Sequence, residues 1–207
     1  MAVRVVAGVD VGGAKKGFHG VILREGKCAD VYSSNDAKKV ARWIADKGAL
    51  VVEVDAPCGW SASGKSRLAE RELAAEGISA FSTPGQSVVY EKDFYRWMRN
   101  GALLYQELNE AGFSLYSGVA LKFGERSCFE TFPQAVACAL AKTKVSAKQK
   151  ATIRRKLLVE EARIEISKLK NIDLVDAALC AVAAAHLAQK RVKSYGDKAE
   201  GFILVPA

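Results

Sequence analysis

The 207-residue sequence lacks the features that mark membrane, secreted or repetitive proteins. No apolar run approaches the roughly 20 residues of a membrane span, and the first residues, MAVRVVAGVDVGG, have the pattern of a strand followed by glycines rather than of a signal peptide. There is no internal repeat, low-complexity segment or clear domain linker. We therefore expect a soluble cytoplasmic protein without a membrane partner, folded as one domain over residues 1–207.

Cysteine and histidine patterns that would indicate zinc or disulfide bonds are also lacking. The five cysteines include no C-x-x-C pair, which argues against both a zinc site and a disulfide framework. The two histidines, His19 and His186, lie far apart in the sequence, and we interpret each as structural.

Acidic residues are missing from one long basic segment, although the whole chain carries a net charge of only +8. Residues 142–156, KTKVSAKQKATIRRK, contain lysine and arginine but no acid. A solvated helix face and a track for a phosphate backbone both fit this pattern. The net charge itself suggests a polyanionic partner such as DNA or RNA.

The apolar patterns predict alternating strands and helices. Strands at 3–11, 17–26 and 27–34 have short connections, which indicate an antiparallel meander. Helix 35–48 precedes a nearly continuous apolar strand at 49–57, typical of a parallel strand buried on both faces. Farther along, the patterns predict helices at 65–77, 91–112, 133–141, 146–168 and 173–191, strands at 127–132 and 201–207, and loops at 78–90 and 113–126.

This order of elements predicts an α/β fold of the RNase H-like type. We expect a mixed five-stranded sheet with strand order 3-2-1-4-5, strand 2 antiparallel, and helices on both faces. In helix 91–112, the side chains of Phe94, Trp97, Leu104 and Leu108 fall on one side. We interpret that stripe as core rather than as a platform for stacking bases.

Carboxylates occur where such a sheet would gather them. Asp10 ends the first strand, Asp55 ends the fourth, and Glu130 lies in the fifth, while Asp173 and Asp176 share one face of the last helix. Gathered carboxylates repel one another unless a cation neutralises them, and their hard oxygens suit Mg²⁺ or Mn²⁺. Each acid taken alone also has a structural interpretation, as a helix cap, a turn cap or a solvated strand end.

Several stretches carry a family resemblance in the same order over nearly the whole chain: GVDVGGAKKGF, VEVDAPCGW, GKSRLAERELAAEGI followed by FSTP, FETFPQA, KQKATIRRKLL and IDLVDAALCAVAAA. The sequence resembles an uncharacterised bacterial and archaeal family of predicted RNase H-like nucleases, related at fold level to the RuvC-type resolvases. The resemblance implies a metal site at Asp10, Asp55 and the Asp173/Asp176 pair, with Glu130 contributing.

The leading hypothesis is a Mg²⁺- or Mn²⁺-dependent nuclease with two metal ions about 4 Å apart. The predicted catalytic residues are Asp10, Asp55, Glu130, Asp173 and Asp176, of which the four aspartates hold metal; the predicted nucleic-acid contacts are Lys65, Arg67, Lys148, Lys150, Arg154 and Arg155. Whether the nucleic acid is DNA or RNA, and whether the protein forms a homodimer, is left open.

The main alternative rests on residues 59–66, GWSASGKS, which match the phosphate-binding pattern G-x-x-x-x-G-K-[ST]. Pro57 lacks an N–H where the phosphate approach begins, and no acid-tipped strand follows the motif. We therefore interpret this stretch as a loop beside the metal site, with Ser63 or Ser66 capping the next helix.

Two further alternatives stay open. GVDVGG could serve as the phosphate loop of an actin-like or sugar-kinase-like enzyme, although such enzymes normally need two domains and roughly twice this length. A catalytically silent binding protein could also keep the same fold.

Overall fold

The computed structural model describes residues 5–119, 121–122 and 124–207. Its centre is a mixed sheet of eight strands in the order β3-β2-β1-β4-β6-β8-β7, with β5 paired to β6 off this path. The strands are β1 (Val5–Val11), β2 (Phe18–Arg24), β3 (Lys27–Ser34), β4 (Val51–Asp55), β5 (Ser114–Leu115), β6 (Ser127–Glu130), β7 (Val192–Asp197) and β8 (Gly201–Pro206). The predicted α/β fold with a mixed sheet is confirmed.

Helices cover both faces of this sheet. They are α1 (Ala37–Asp46), α2 (Leu68–Ala75), α3 (Gln86–Glu91), α4 (Arg96–Glu110), α5 (Pro133–Ala141), α6 (Lys150–Glu160) and α7 (Ile172–Ala188). Alternate residues of β1 enter two separate hydrophobic clusters, as the pleat of a strand requires. Val6 packs in a cluster with residues of α5, α6 and α7, whereas Ala7 and Val9 pack in a cluster with residues of α1 and α4.

The prediction of five strands in the order 3-2-1-4-5 is wrong. Strand β2 is antiparallel to β1 and β3, and β4 is parallel to β1 and β6, but the sheet continues through β8 to β7. Strand β7 was missed because its sequence, VKSYGD, is polar and largely accessible at the sheet edge. The predicted helix 173–191 also ran too far, since α7 ends at Ala188 and Lys190 adopts a left-handed backbone conformation with φ of 58°.

Two other predicted helices are shorter than their apolar patterns indicated. The segment 146–168 forms a 3-10 turn followed by α6, and the chain leaves the helix before Arg163, whose φ is 59°. The buried side chain of Ile164 therefore reaches the core from a turn rather than from the helix. The segment 91–112 begins with a 3-10 turn at Asp93–Tyr95 before α4, while α3 occupies part of the predicted loop 78–90.

Close packing of α7 on β1 sets the geometry of the site. A Cβ added at Gly8 would overlap the backbone of Ala177 and Ala181 on α7, so glycine allows the helix to lie directly on the strand. The beginning of α7 consequently reaches the carboxyl end of β1, where Asp10 lies. Among the described residues, no helix combines the length and apolar character needed to span a membrane.

Candidate active site

A cavity of about 290 Å³ opens at the carboxyl ends of β1 and β4, beside the beginning of α7. Its walls include Asp10, Asp55, Asp173 and Asp176, and we call it the aspartate cavity. The carboxyl ends of adjacent parallel strands meet at one edge of a sheet, and ligands commonly bind at such an edge in α/β folds. The four predicted metal ligands therefore line one space.

Asp10 and Asp55 lie side by side at the ends of their strands. They are register partners in the parallel pair β1 and β4. Within the described residues, neither side chain takes part in an ion pair. Burial, followed by repulsion from Asp176 and Asp173, raises the pKa of Asp10 to about 7. Burial and repulsion from Asp10 likewise raise the pKa of Asp55 well above its usual range.

Asp173 and Asp176, by contrast, are neutralised by basic side chains. The Lys16 ammonium donates a hydrogen bond to Asp173 Oδ1 at 2.8 Å, and this bond raises the lysine pKa. Asp176 pairs with the Arg154 guanidinium, and Lys150 Nζ lies 3.4 Å from its other oxygen. Neither aspartate caps α7, because Asn171 accepts the hydrogen bond from the Leu174 N–H.

Glu130 does not join these carboxylates as predicted, although it lines part of the same cavity. Both of its oxygens accept hydrogen bonds from the Arg67 guanidinium, at 2.5 and 2.7 Å, and the Cys58 N–H donates to one of them at 2.8 Å. Glu130 is also in register with Val54 rather than with Asp55. Its oxygens are therefore already used by the protein and are not open to a metal ion.

Arg67 was predicted to contact nucleic acid; in the structure it lines part of the aspartate cavity, but its guanidinium is bound by carboxylates of the chain. Its side chain is only 1% exposed and also donates from Nε to Glu70 at 2.9 Å. Glu70 in turn accepts hydrogen bonds from the N–H groups of Arg67 and Thr83. We call Arg67, Glu70, Glu130 and Glu200 the Arg67 network. All four side chains are buried, and each forms hydrogen bonds with another member or with backbone N–H groups, so the network is a structural unit.

The other predicted nucleic-acid contacts separate into different places. Lys150 and Arg154 line the aspartate cavity, but Arg154 is buried against Asp176. Arg155 is turned away and donates to the Leu169 carbonyl at 2.9 Å, so the structure gives it a role in fixing the chain after α6. Lys65 and Lys148 are exposed and lie outside the cavity wall.

The GWSASGKS segment has a different environment from a phosphate-binding loop. The Glu200 carboxylate accepts hydrogen bonds from the Ala62 N–H at 2.6 Å and from the Leu68 N–H at 2.7 Å. Helix α2 begins at Leu68, after an N-cap at Arg67, so the expected cap by Ser63 or Ser66 is wrong. The Glu200 carboxylate thus accepts hydrogen bonds from N–H groups of the loop and of the first residue of α2, and these N–H groups are not free to bind a phosphate.

Sequence reasoning missed three residues of the site. Lys16 lies in the turn between β1 and β2, and His19 is the register partner of Asp10 in β2, with Nε2 3.8 Å from Asp173 Oδ2. Thr83 lines the cavity, and its hydroxyl is buried and has no hydrogen-bond partner among the described residues. The predicted β1–β2 hairpin could have placed His19 beside Asp10. Nothing in the sequence near Lys16 or Thr83 indicates that these residues belong to the site.

Carboxylate oxygens suit a hard divalent cation, but the cavity does not offer a finished set of ligands. Within the described ranges, no group of three or more His, Cys, Asp or Glu side chains is arranged to hold a metal ion. Asp10 and Asp55 are open to a cation, whereas Asp173 is paired with Lys16 and Asp176 with both Lys150 and Arg154, and these pairs must loosen before either carboxylate can bind a metal ion. The donor chemistry fits Mg²⁺ or Mn²⁺ at Asp10 and Asp55.

Fold and site together define an α/β protein with a mixed sheet and a carboxylate-lined cavity at the ends of two parallel strands. A family model described as "Protein of unknown function (DUF429)" matches residues 8–201, and the chain belongs to this family. That description agrees with the uncharacterised family predicted from the sequence and states no activity. A search of curated proteins found no match.

Proposed function

We propose that the protein is a nuclease that uses Mg²⁺ or Mn²⁺ to hydrolyse phosphodiester bonds in nucleic acid. The observation that carries this proposal is the pair Asp10, which is buried, and Asp55, which is half-buried: they lie side by side with raised pKa values and form no ion pair within the described residues. Burying like charges together is unfavourable unless a partner compensates them. A divalent cation is the partner that two hard carboxylates would bind best.

The arrangement of the sheet supports an RNase H-like fold as part of this proposal. Three antiparallel strands are followed by a helix and by β4, which pairs in parallel with β1. The strands β8 and β7 are then an extension of that sheet beyond β6. In this interpretation, Asp10 on the first strand and Asp55 on the fourth are the principal ligands.

The basic residues of the cavity have a matching role toward the substrate. Lys16 and Lys150 are partly exposed, with side chains 60% and 46% accessible, and both lie against aspartates. A phosphate and a divalent cation entering together would take over the lysines and the aspartates, respectively, and total charge would stay balanced. Bound metal ions would activate a water molecule and stabilise the leaving oxygen.

Nucleotide binding by the GWSASGKS loop is the weaker alternative. A P-loop leaves its backbone N–H groups free for phosphate. Here Glu200 takes the Ala62 N–H, and a carboxylate at that position repels a phosphate. If no cleavage is found, the remaining alternative is a catalytically silent binding protein with the same fold.

The test of the nuclease is the change Asp10→Asn, which keeps the shape of the side chain and removes its charge. We expect purified wild-type protein with Mn²⁺ or Mg²⁺ to cleave members of a panel of DNA and RNA substrates on denaturing gels, and the variant to show only the background rate. Asp46→Asn on α1 is the matched control, since Asp46 is exposed and lies outside the cavity. Equal cleavage by wild type and Asp10→Asn would refute the proposal.

A further inference from the structure

A group of aromatic side chains is exposed beside the aspartate cavity. Phe81 and Phe94 are 61% and 66% exposed, and their ring centroids are 6.3 Å apart. Phe81 also meets Trp97 edge to face, with centroids 5.9 Å apart. We call these three residues the aromatic rim. Phe81 and Trp97 are themselves part of the cavity wall, so the rim and the carboxylates belong to one continuous surface.

One residue of the rim, Phe94, departs from the core role expected for the stripe of helix 91–112, whereas Trp97 is half-buried and packs against the core. Leu104 and Leu108 are buried under the sheet as predicted, but Phe94 lies in the 3-10 turn before α4 and projects outward. Large rings exposed together are uncommon on the surface of a protein that has no use for them. Rings of this kind bind well to flat apolar partners, because they lose little conformational freedom on binding.

The segment that carries Phe81 is held in place by a backbone hydrogen bond to a buried carboxylate. Two residues later, the Thr83 N–H donates a hydrogen bond to Glu70 of the Arg67 network at 2.8 Å. Thr83 itself lines the cavity, and its buried hydroxyl has no hydrogen-bond partner among the described residues. Phe81 and Thr83 thus belong to the same stretch of the cavity wall, which the hydrogen bond to Glu70 holds in place.

We infer that the aromatic rim binds unpaired bases of a single-stranded nucleic acid whose backbone enters the aspartate cavity. This inference rests on the proposed nuclease function and names the class of its substrate. Every base has a flat face that stacks on an aromatic ring, whereas the faces of bases in a duplex are already stacked on one another. Lys16 and Lys150 in the cavity would contact the phosphate backbone once a divalent cation has taken over Asp173 and Asp176.

The test measures binding without catalysis. Labelled single-stranded DNA and RNA oligonucleotides and a blunt-ended duplex are titrated with protein in Ca²⁺ in place of Mg²⁺ and Mn²⁺, so that a hard cation occupies the carboxylates, and fluorescence anisotropy gives the dissociation constants. We expect the double variant Phe81→Ala with Phe94→Ala to bind single strands roughly 10- to 100-fold more weakly, since each stacked ring contributes substantially to affinity. Duplex binding should change little, and Phe81→Trp should retain single-strand binding.

Leu103→Ala is the matched control, because Leu103 is an exposed apolar residue of α4 outside the cavity wall. It should bind single strands like the wild type. Unchanged binding by the double variant would overturn the inference, as would failure of the wild type to bind any single strand. The inference would also fail if sedimentation showed a wild-type dimer that the double variant converts to monomers, because the rim would then be a surface for a second copy of the chain.

These outcomes separate the rim from the nuclease. Loss of single-strand binding in the double variant, combined with undiminished cleavage by Asp10→Asn, would refute the metal-dependent reaction and leave the binding surface. Normal binding by the double variant, combined with loss of cleavage in Asp10→Asn, would refute the rim and leave the reaction.

Discussion

Two groups of acids lie at the same edge of the sheet, and they differ in the hydrogen-bond and ion-pair partners that the protein provides for them. In the Arg67 network, Glu70, Glu130 and Glu200 accept hydrogen bonds from the Arg67 side chain or from backbone N–H groups. In the aspartate cavity, Asp10 and Asp55 form no ion pair within the described residues, although the charges of Lys16 and Lys150 oppose the raised pKa of Asp10 and that of Arg154 opposes the raised pKa of Asp55. The acids of the Arg67 network support the structure, whereas Asp10 and Asp55 line a cavity and are available for a ligand.

The largest expected effect comes from breaking the satisfied group. Arg67→Met would leave Glu130 and Glu70 buried without their cation, since the arginine makes ion pairs with both. Removing one partner of a buried ion pair typically costs about 3–5 kcal/mol. We expect the free energy of unfolding, measured by urea denaturation, to fall by roughly that amount. The exposed Arg71, changed to alanine, should alter it by less than about 0.5 kcal/mol.

The opposite result is expected in the open group. Asp10→Asn removes a buried charge that lies beside the charge of Asp55, so in EDTA at pH 8 it should raise the free energy of unfolding by roughly 1–3 kcal/mol. The same denaturation measurement applies. A loss of stability comparable to that of Arg67→Met would mean that Asp10 is a structural residue and that the two groups do not differ.

The pH dependence of stability should show the same difference. The pKa of Asp10 is raised in the folded protein from 3.8 to about 7, so between these values the folded state binds more protons than the unfolded state. The contribution of Asp10 to the free energy of unfolding therefore falls as pH rises from about 4 to about 7. Asp10→Asn, measured in EDTA, should have a flatter profile across this interval; parallel profiles would contradict the raised pKa.

The smallest effect concerns the lysine that holds Asp173. Because Lys16 is mostly exposed, its ion pair with Asp173 is worth little, about 0.2–1 kcal/mol. Lys16→Met should release that carboxylate and tighten Mn²⁺ binding by no more than about fivefold, as measured by calorimetry. The neighbouring exposed Lys15, changed to methionine, is the control. Weaker binding in Lys16→Met would mean that the lysine does not compete with the metal ion.

Local sequence patterns predicted the open aspartates but not the satisfied network. Asp10 and Asp55 each end an apolar strand, and parallel strands bring such ends together regardless of the rest of the chain. The pairing of Arg67 with Glu130 joins residues 63 positions apart, and nothing near either residue indicates its partner. Glu130 therefore looked like one more acid at a strand end, and Arg67 like a surface arginine.

The errors in the fold have similarly local causes. The apolar spacing of the predicted helix 146–168 continues to Ile164, but α6 ends at Glu160 and the left-handed backbone of Arg163 is incompatible with a continued helix. Strand β7 is polar because it lies at the sheet edge, and a polar edge strand has no apolar pattern to detect. Phe94 fitted a helical stripe by spacing, whereas the 3-10 turn rotates it into solvent.

The most direct test of the difference between the two groups of acids is calorimetric titration of Mn²⁺ into the metal-free protein at pH 8. The wild type and the Asp46→Asn control should bind Mn²⁺, and Asp10→Asn should show no binding or a much weaker one, because the open pair is the site. Absence of binding in the wild type, or equal binding by Asp10→Asn, would contradict the account.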